Sequence, residues 1–370
     1  MKKEIIIFSY DFPPSDGGIA RLCSEIASNL HERDYNVQVL TTEHKGENKA
    51  PYNIKGIPVL RKTAKRIICE WKMFYHLVNI KNKIDYIILC GLWYPEALIA
   101  LLAGFKNVYI LTHAAELRPG KSAFRKNIWI PIIANWVLRS AKRVIANSEY
   151  TANLSKTVAP KAIVVTLPLA VNHNYFTPNI SSIKNSEYLI ISTVSRICKF
   201  KGHDTILEAI QQLPIEIRNK IRWKIAGNGP YKQTLIKLVE ESGLSSQIEF
   251  LGFVPDEELP IVYQSSDVFV LCTREDSDSN SVEGFGLVFL EAQACGIPAI
   301  GTRAGGIPSA IKEENGGWLI KNKDDLSKLF INLINDQSIC EQMGRKARLR
   351  VERETTWNIY INKLIKYLEI

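Results

Sequence analysis

Short apolar runs recur along the chain, most of them closing on Gly, Pro, Ser, Asn or Thr and many followed by a longer stretch with apolar residues at helical spacing. In the first half the runs fall at 4–9, 37–41, 86–90, 107–112 and 143–147, with helical spacing over about 18–33 and 95–103. In the second half they fall at 188–194, 223–226, 248–251, 268–272 and 298–301. Strands alternating with helices predict parallel sheets covered on both faces, and two such sets predict an α/β chain of two Rossmann-like domains. The polar stretch 172–186 reads as the linker, which gives a first domain at 1–175 and a second at 176–355. A last segment, 356–370, carries Trp357, Ile359, Tyr360, Leu364, Ile365 and Leu368 at helical spacing.

Composition changes this picture little. A chain of 370 residues, 46% apolar and 23% charged, suits two soluble domains of ordinary size. The opening MKKEIIIFSY has too short an apolar run for a signal peptide, and the longest apolar stretch, 86–105, is broken by Pro95 and Glu96. Seven scattered cysteines without a C-x-x-C pair point to a reducing cytoplasm and to neither a disulfide frame nor a zinc site.

Charge is uneven. Residues 1–175 hold 24 Lys and Arg against 13 Asp and Glu, a net +11, while the remainder holds 23 against 25, a net −2. The excess gathers at 61–83 and 118–143, where Lys and Arg interleave with Trp71, Phe74, Trp129 and Trp136. Such helices suit an anionic membrane surface. They equally suit ordinary helices that turn those aromatics into the core.

The candidate chemistry lies in loops after strands, where open α/β sheets bind ligands. Glu283-Gly284-Phe285-Gly286-Leu287 opens a helix that reaches Glu291, so two carboxylates stand eight positions apart across a Gly-x-Gly turn. Backbone amides at such a turn and the helix N-terminus behind it suit a diphosphate. At about 1.5 Å per residue the helix sets Glu291 roughly 7 to 8 Å from Gly286, so the carboxylates can address opposite ends of a nucleotide sugar. Two Glu residues at this spacing also arise by chance, and Leu287 and its neighbours could be plain core. After the 188–194 strand come Arg196 and Lys201; departure of a nucleoside diphosphate needs such cations on its oxygens. After the first strand, Pro13-Pro14 stiffens a loop ending in Gly17-Gly18, and His113 ends another apolar run.

These motifs resemble those of the retaining glycosyltransferases of family 4 (group 1), with 280–306 the most specific block. The match runs over nearly the whole chain and comes nearest the bacterial mannosyltransferases acting on phosphatidylinositol mannosides. The resemblance implies the GT-B fold, with an interdomain cleft and a last helix that packs back on the first domain. It implies that Arg196 and Lys201 take the diphosphate, that Glu283 serves the sugar and Glu291 the nucleoside, and that His113 touches the donor sugar. It also implies that Gly17 and Gly18 face the cleft, and that Gly227 and the Phe253-Val254 loop shape the base pocket. The expected donor is GDP-mannose or a UDP-hexose, with no cofactor and no metal. The expected acceptor is a glycan or lipid-linked hydroxyl on the inner face of the cell membrane; nucleic acid is not a partner. Leu169-Ala170-Val171-Asn172 departs from the family's Asn-Gly-Val-Asp turn, which puts any contact made there in doubt.

Other readings are weaker. Gly227-x-Gly229 followed by Lys232 lacks the third glycine of a dinucleotide fingerprint, and Pro230 intrudes. Asp276-Ser277-Asp278 imitates an Asp-x-Asp metal site of a one-domain transferase fold, and is read here as a polar loop. A nucleotide-sugar epimerase and a non-catalytic binder remain open alternatives.

Overall fold

The computed structural model describes residues 3–13, 15, 17–43, 53–58, 63–179, 187–275 and 281–370. It gathers into two compact units, Met1–Leu167 with Asn358–Ile370, and Pro168–Ser277 with Ser281–Trp357. In the first unit β1 (Glu4–Phe8), β2 (Val37–Glu43), β3 (Asn53–Pro58), β4 (Tyr86–Cys90), β5 (Val108–Thr112), β6 (Arg143–Ala146) and β7 (Val164–Thr166) form one parallel sheet in the order β3-β2-β1-β4-β5-β6-β7. In the second, β8 (Leu189–Val194), β9 (Ile221–Ala226), β10 (Ile248–Gly252), β11 (Val268–Leu271), β12 (Ala299–Thr302) and β13 (Gly317–Ile320) form another, in the order β10-β9-β8-β11-β12-β13. Strand order thus reverses between β1 and β4, where Ile5 pairs Ile87, and again between β8 and β11, where Ile191 pairs Val268. A crevice opens at the carboxyl ends of the strands at each such reversal.

The central strands are the continuous apolar runs of the sequence because both faces are covered: Ile87, Ile88, Leu89 and Cys90, like Val268, Phe269, Val270 and Leu271, are wholly buried. Three strands are not legible in the sequence, β3, β7 and β13, and each is a sheet edge. Edge strands pair on one side only and can be short and half-buried, as β7 is at every position.

Helices follow the same logic. Gly18–His31 buries Ala20, Cys23, Ala27 and Leu30 on one face. The helix expected at 95–103 is a widened turn, Trp93–Ala97, that carries a cis Tyr94–Pro95 bond and continues into Leu98–Leu102. The chain leaves the first unit after Leu167: Val171 donates its N–H to Thr355 O at 2.9 Å, and Val171 and Phe176 are buried in the second unit's core. Asn172 Oδ1 accepts from Tyr175 N at 3.2 Å, so this departure from the family turn is built into a local cap. The last helix, Trp357–Leu368, returns to the first unit, where Tyr109 Oη donates to Leu368 O at 2.9 Å and Glu369 pairs with Lys142 at 2.7 Å.

At the first reversal a buried acid ties two strand ends. Glu96 is 0% exposed and its Oε1 accepts from Tyr10 N at 3.0 Å. Burial pushes its carboxyl up to about 8 from an ordinary 4.5. The folded state therefore holds a proton that the unfolded chain releases near 4.5, and the associated stability drains away as pH rises from there through 8. Glu96→Gln is expected to flatten the decline of the melting temperature between pH 5 and 8, an effect on the order of a few kcal/mol at about 1.4 kcal/mol per pH unit. Equal pH slopes in the two proteins would show that Glu96 does not carry it.

Candidate functional site

The loops over the second reversal are packed backbone against backbone. Ser195 N donates to Ala226 O at 3.0 Å and Ile197 N to Asn228 O at 2.9 Å, so the loops after β8 and β9 run side by side. Gly227, with φ +134°, permits this, because a Cβ there would lie 2.0 Å from Ser195 O. Its glycine character thus answers to the neighbouring loop. Gly202, φ +73°, likewise lies against Cys272 O, 1.9 Å from where its Cβ would be.

These loops bring one predicted cation, Lys201, to one predicted carboxylate, Glu283. Lys201 Nζ lies 2.5 Å from Glu283 Oε2, and each side chain is 16% exposed. Arg196, on the same loop, is exposed. The Glu283 carbonyl accepts from Gly306 N at 2.7 Å, and Gly305, φ +54°, allows the approach, since its Cβ would stand 2.4 Å from that oxygen. Gly286, φ +92°, starts the helix Leu287–Ala294, and a Cβ there would press within 2.5 Å of the Phe289 ring. Gly284 is buried and Leu287 half-buried, while Phe285 is a core side chain at 1% exposure, so a ligand at this turn meets backbone and not the Phe285 ring.

Glu291 is buried and accepts from Tyr263 Oη at 2.8 Å. Tyr263 is itself fully buried, with its ring edge-on to Phe176 and Phe269. Nothing in the sequence near Tyr263 marks it as the partner of a carboxylate 28 residues away. Gly305-Gly306 did carry a signal, a diglycine after β12 like Gly17-Gly18 after β1. The Phe253-Val254 loop, with Phe253 76% exposed, borders a cavity of about 330 Å³ shared with Leu251, Ile261 and Val262. Behind the β8 loop His203 is buried and stacked on Trp223, with its Nε2 3.4 Å from Ser195 Oγ. Burial and the nearby Lys201 charge pull its pKa down to about 4, so the ring is neutral at neutral pH.

In the first unit, Gly17 and Gly18 open the helix after β1. Both are exposed, and an added Cβ on either would meet nothing within 4 Å. Gly17 is in extended backbone, so what the pair provides is open access to the helix start and not a special turn. His113 follows β5, its Nε2 3.0 Å from Gly91 O and its N–H donated to Glu116 Oε1 at 2.7 Å. Ala114 beside it holds φ +84°, a left-handed strain for a residue with a Cβ. Asp276 and Asp278 lie outside the described residues.

Comparison with known proteins gives the family. Residues 178–350 match the family model "Glycosyl transferases group 1", and residues 16–175 match "Glycosyltransferase Family 4". The chain belongs to this family of glycosyltransferases, with the GT-B fold. It is similar to a GDP-mannose-dependent alpha-(1-6)-phosphatidylinositol monomannoside mannosyltransferase of Mycobacterium tuberculosis, at 26% identity over 98% of this chain and 97% of that one. A Corynebacterium glutamicum mannosyltransferase for the monoacylated form of the same lipid is 26% identical over 99% and 98% of the two chains. The crystal structure of Anabaena Alr3699/HepE in complex with UDP superposes with a TM-score of 0.78 at 16% identity, over 99% of both chains.

Gly286→Ala is expected to disturb the turn that opens the helix toward Glu291, because the new methyl meets Phe289 in a backbone conformation that alanine resists. The thermal midpoint should fall and binding of a nucleoside diphosphate weaken by about tenfold or more, a loss of 1.4 kcal/mol. Unchanged titration curves would contradict this.

Proposed function

We propose that the chain transfers a hexose, with mannose favoured, from a nucleotide diphosphate sugar to an acceptor hydroxyl, with retention of anomeric configuration. The observation that carries this reading is the Lys201–Glu283 pair, because it joins the cation loop to the first carboxylate of the E-x7-E block. In this reading Lys201 and Arg196 take charge developing on the diphosphate, and amides at the Gly286 turn help hold it. The acceptor oxygen bonds to the anomeric carbon as the bond to the phosphate oxygen breaks on the same face, and the hydroxyl proton passes to the departing diphosphate. Glu283 orients sugar hydroxyls and Glu291 the nucleoside end. No enzymic nucleophile and no metal ion is required. The phosphatidylinositol mannoside enzymes among the relatives favour GDP-mannose over a UDP-hexose.

Incubation with GDP-mannose and with UDP-hexoses in EDTA tests this. Slow release of nucleoside diphosphate and an α-configured product are expected. Recovery of an epimerised nucleotide sugar would replace transfer with epimerisation, binding without turnover would leave a binder, and rescue by manganese alone would direct attention to Asp276 and Asp278. Arg196→Ala and Lys201→Ala should each slow turnover roughly 100-fold, the scale of one preorganised charge stabiliser. Near-normal rates in both would remove their assigned role.

The acceptor is proposed to be membrane-borne, on exposed apolar side chains of the first unit. Ile67, Trp71 and Tyr75 stand four apart on the helix Thr63–Val78 and are 58%, 65% and 70% exposed. Phe124, Ile128 and Ile132 repeat that spacing along the helical stretch Arg125–Ala134 and its approach, and Arg66, Lys72, Lys126 and Arg139 are exposed nearby in sequence. Trp136 is also exposed, while Phe74 and Trp129 pack against the core. Among the described residues no helix is long and apolar enough to cross a membrane. Each Lys or Arg near an anionic surface contributes about 1 kcal/mol, so reversible docking is expected. Liposome co-sedimentation should rise with anionic lipid, fall with salt and drop several-fold in Trp71→Ser; no binding even at low salt would sink this part.

A further inference from the structure

Lys201 ends the short turn Lys199–Lys201, just before the helix His203–Gln211, and the residues on both sides of it are gripped from the other side of the strand-order reversal. The gripping residue is Arg274, two positions beyond the buried Cys272 at the end of β11. Its backbone N–H donates to Phe200 O at 2.8 Å. Its guanidinium donates from Nη2 to Lys199 O at 3.0 Å and to Asp204 Oδ2 at 2.6 Å, and from Nη1 to Thr205 Oγ1 at 3.2 Å. The partners lie on both sides of Lys201, and Asp204 is only 15% exposed, which keeps the charged pair partly out of water. Gly202 rests on Cys272 O in the same place, so the two loops are in contact along backbone as well as through this side chain.

A lysine on four rotatable carbons is a poor fixed charge unless its backbone is fixed. The guanidinium spreads its donors over two terminal nitrogens, Nη1 to the hydroxyl and Nη2 to the carbonyl and carboxylate, whereas a lysine ammonium at position 274 would have to meet all three acceptors from a single nitrogen. We infer that Arg274 is a positioning residue that holds the Lys199–Lys201 turn against the start of the helix His203–Gln211, so that the Lys201 ammonium meets the phosphates of an anionic ligand. This rests on the proposed diphosphate role of Lys201. Arg274 touches neither ligand nor reacting atoms in this role; it acts through Lys201.

The two ideas are separable by a double-mutant cycle read with inorganic pyrophosphate as the probe, alongside turnover. In the otherwise native chain, Arg274→Ala should weaken pyrophosphate binding by about tenfold, and Arg274→Lys should restore little of it. In a Lys201→Ala background the same Arg274→Ala change should cost less than about twofold, because the group it positions is gone. Asp204→Asn, a milder change in the first turn of the helix His203–Gln211, should show the same dependence on Lys201 should Arg274→Ala fold poorly. A purely structural Arg274 would instead lower the melting temperature and weaken pyrophosphate equally in both backgrounds, which overturns the inference. Absence of pyrophosphate binding in the native chain overturns it too. Pyrophosphate binding with the expected coupling, but no transfer from any nucleotide sugar, would sustain the positioning role and defeat the transferase reading.

Discussion

Everything at the candidate site depends on how close two backbones can come. A parallel sheet covered on both faces leaves only the ends of its strands open, and at the carboxyl ends the reversal of strand order between β8 and β11 parts the loops into a crevice. The walls of that crevice are held at distances only glycine tolerates: Gly202 on Cys272 O, Gly227 on Ser195 O and Gly305 on Glu283 O would each place a Cβ 1.9 to 2.4 Å from a carbonyl oxygen. Three positive-φ glycines thus seat the cation loop on the strand end at Cys272, the β9 loop on the cation loop, and the loop after β12 on the first carboxylate, which Lys201 joins to the rest.

Charge is arranged on that frame sparingly. Lys201 and Glu283 are mostly sheltered and paired, so neither faces the penalty of an isolated buried ion. His203 behind them stays neutral and adds no charge of its own to the loop. In the first unit the corresponding reversal carries a buried acid, Glu96, raised toward neutrality by burial and tied to Tyr10. Both reversals therefore use a polar side chain from one loop to fasten the loop opposite, Arg274 in one unit and Glu96 in the other.

The legible part of the fold is the part buried on two faces. Strands such as β4 and β11 stand out as unbroken apolar runs because water meets neither side, whereas β3, β7 and β13 lie at sheet edges and leave weak patterns. The basic helices show a second limit. Helical spacing marks Trp71 and Trp129 alike as aromatic residues among cations, yet Trp71 is exposed and Trp129 packs tilted against Trp93 and edge-on to Tyr94 at the core. Which of the aromatics around such a helix turn inward is set by its neighbours, not by its own period.

By itself the sequence determined that the chain alternates strands and helices twice, where its post-strand loops fall, and which of them carry cations, carboxylates and paired glycines. Those properties are local, since they follow from period, turn chemistry and the side chains within a few residues of each other. The tertiary structure alone decided that Lys201 meets Glu283 across 82 positions of chain, that Glu291 is buried against Tyr263, and that Arg274 clasps both flanks of the lysine loop. Such pairings depend on sheet order and on the closeness of backbones from distant segments, and no local pattern along a single chain records them.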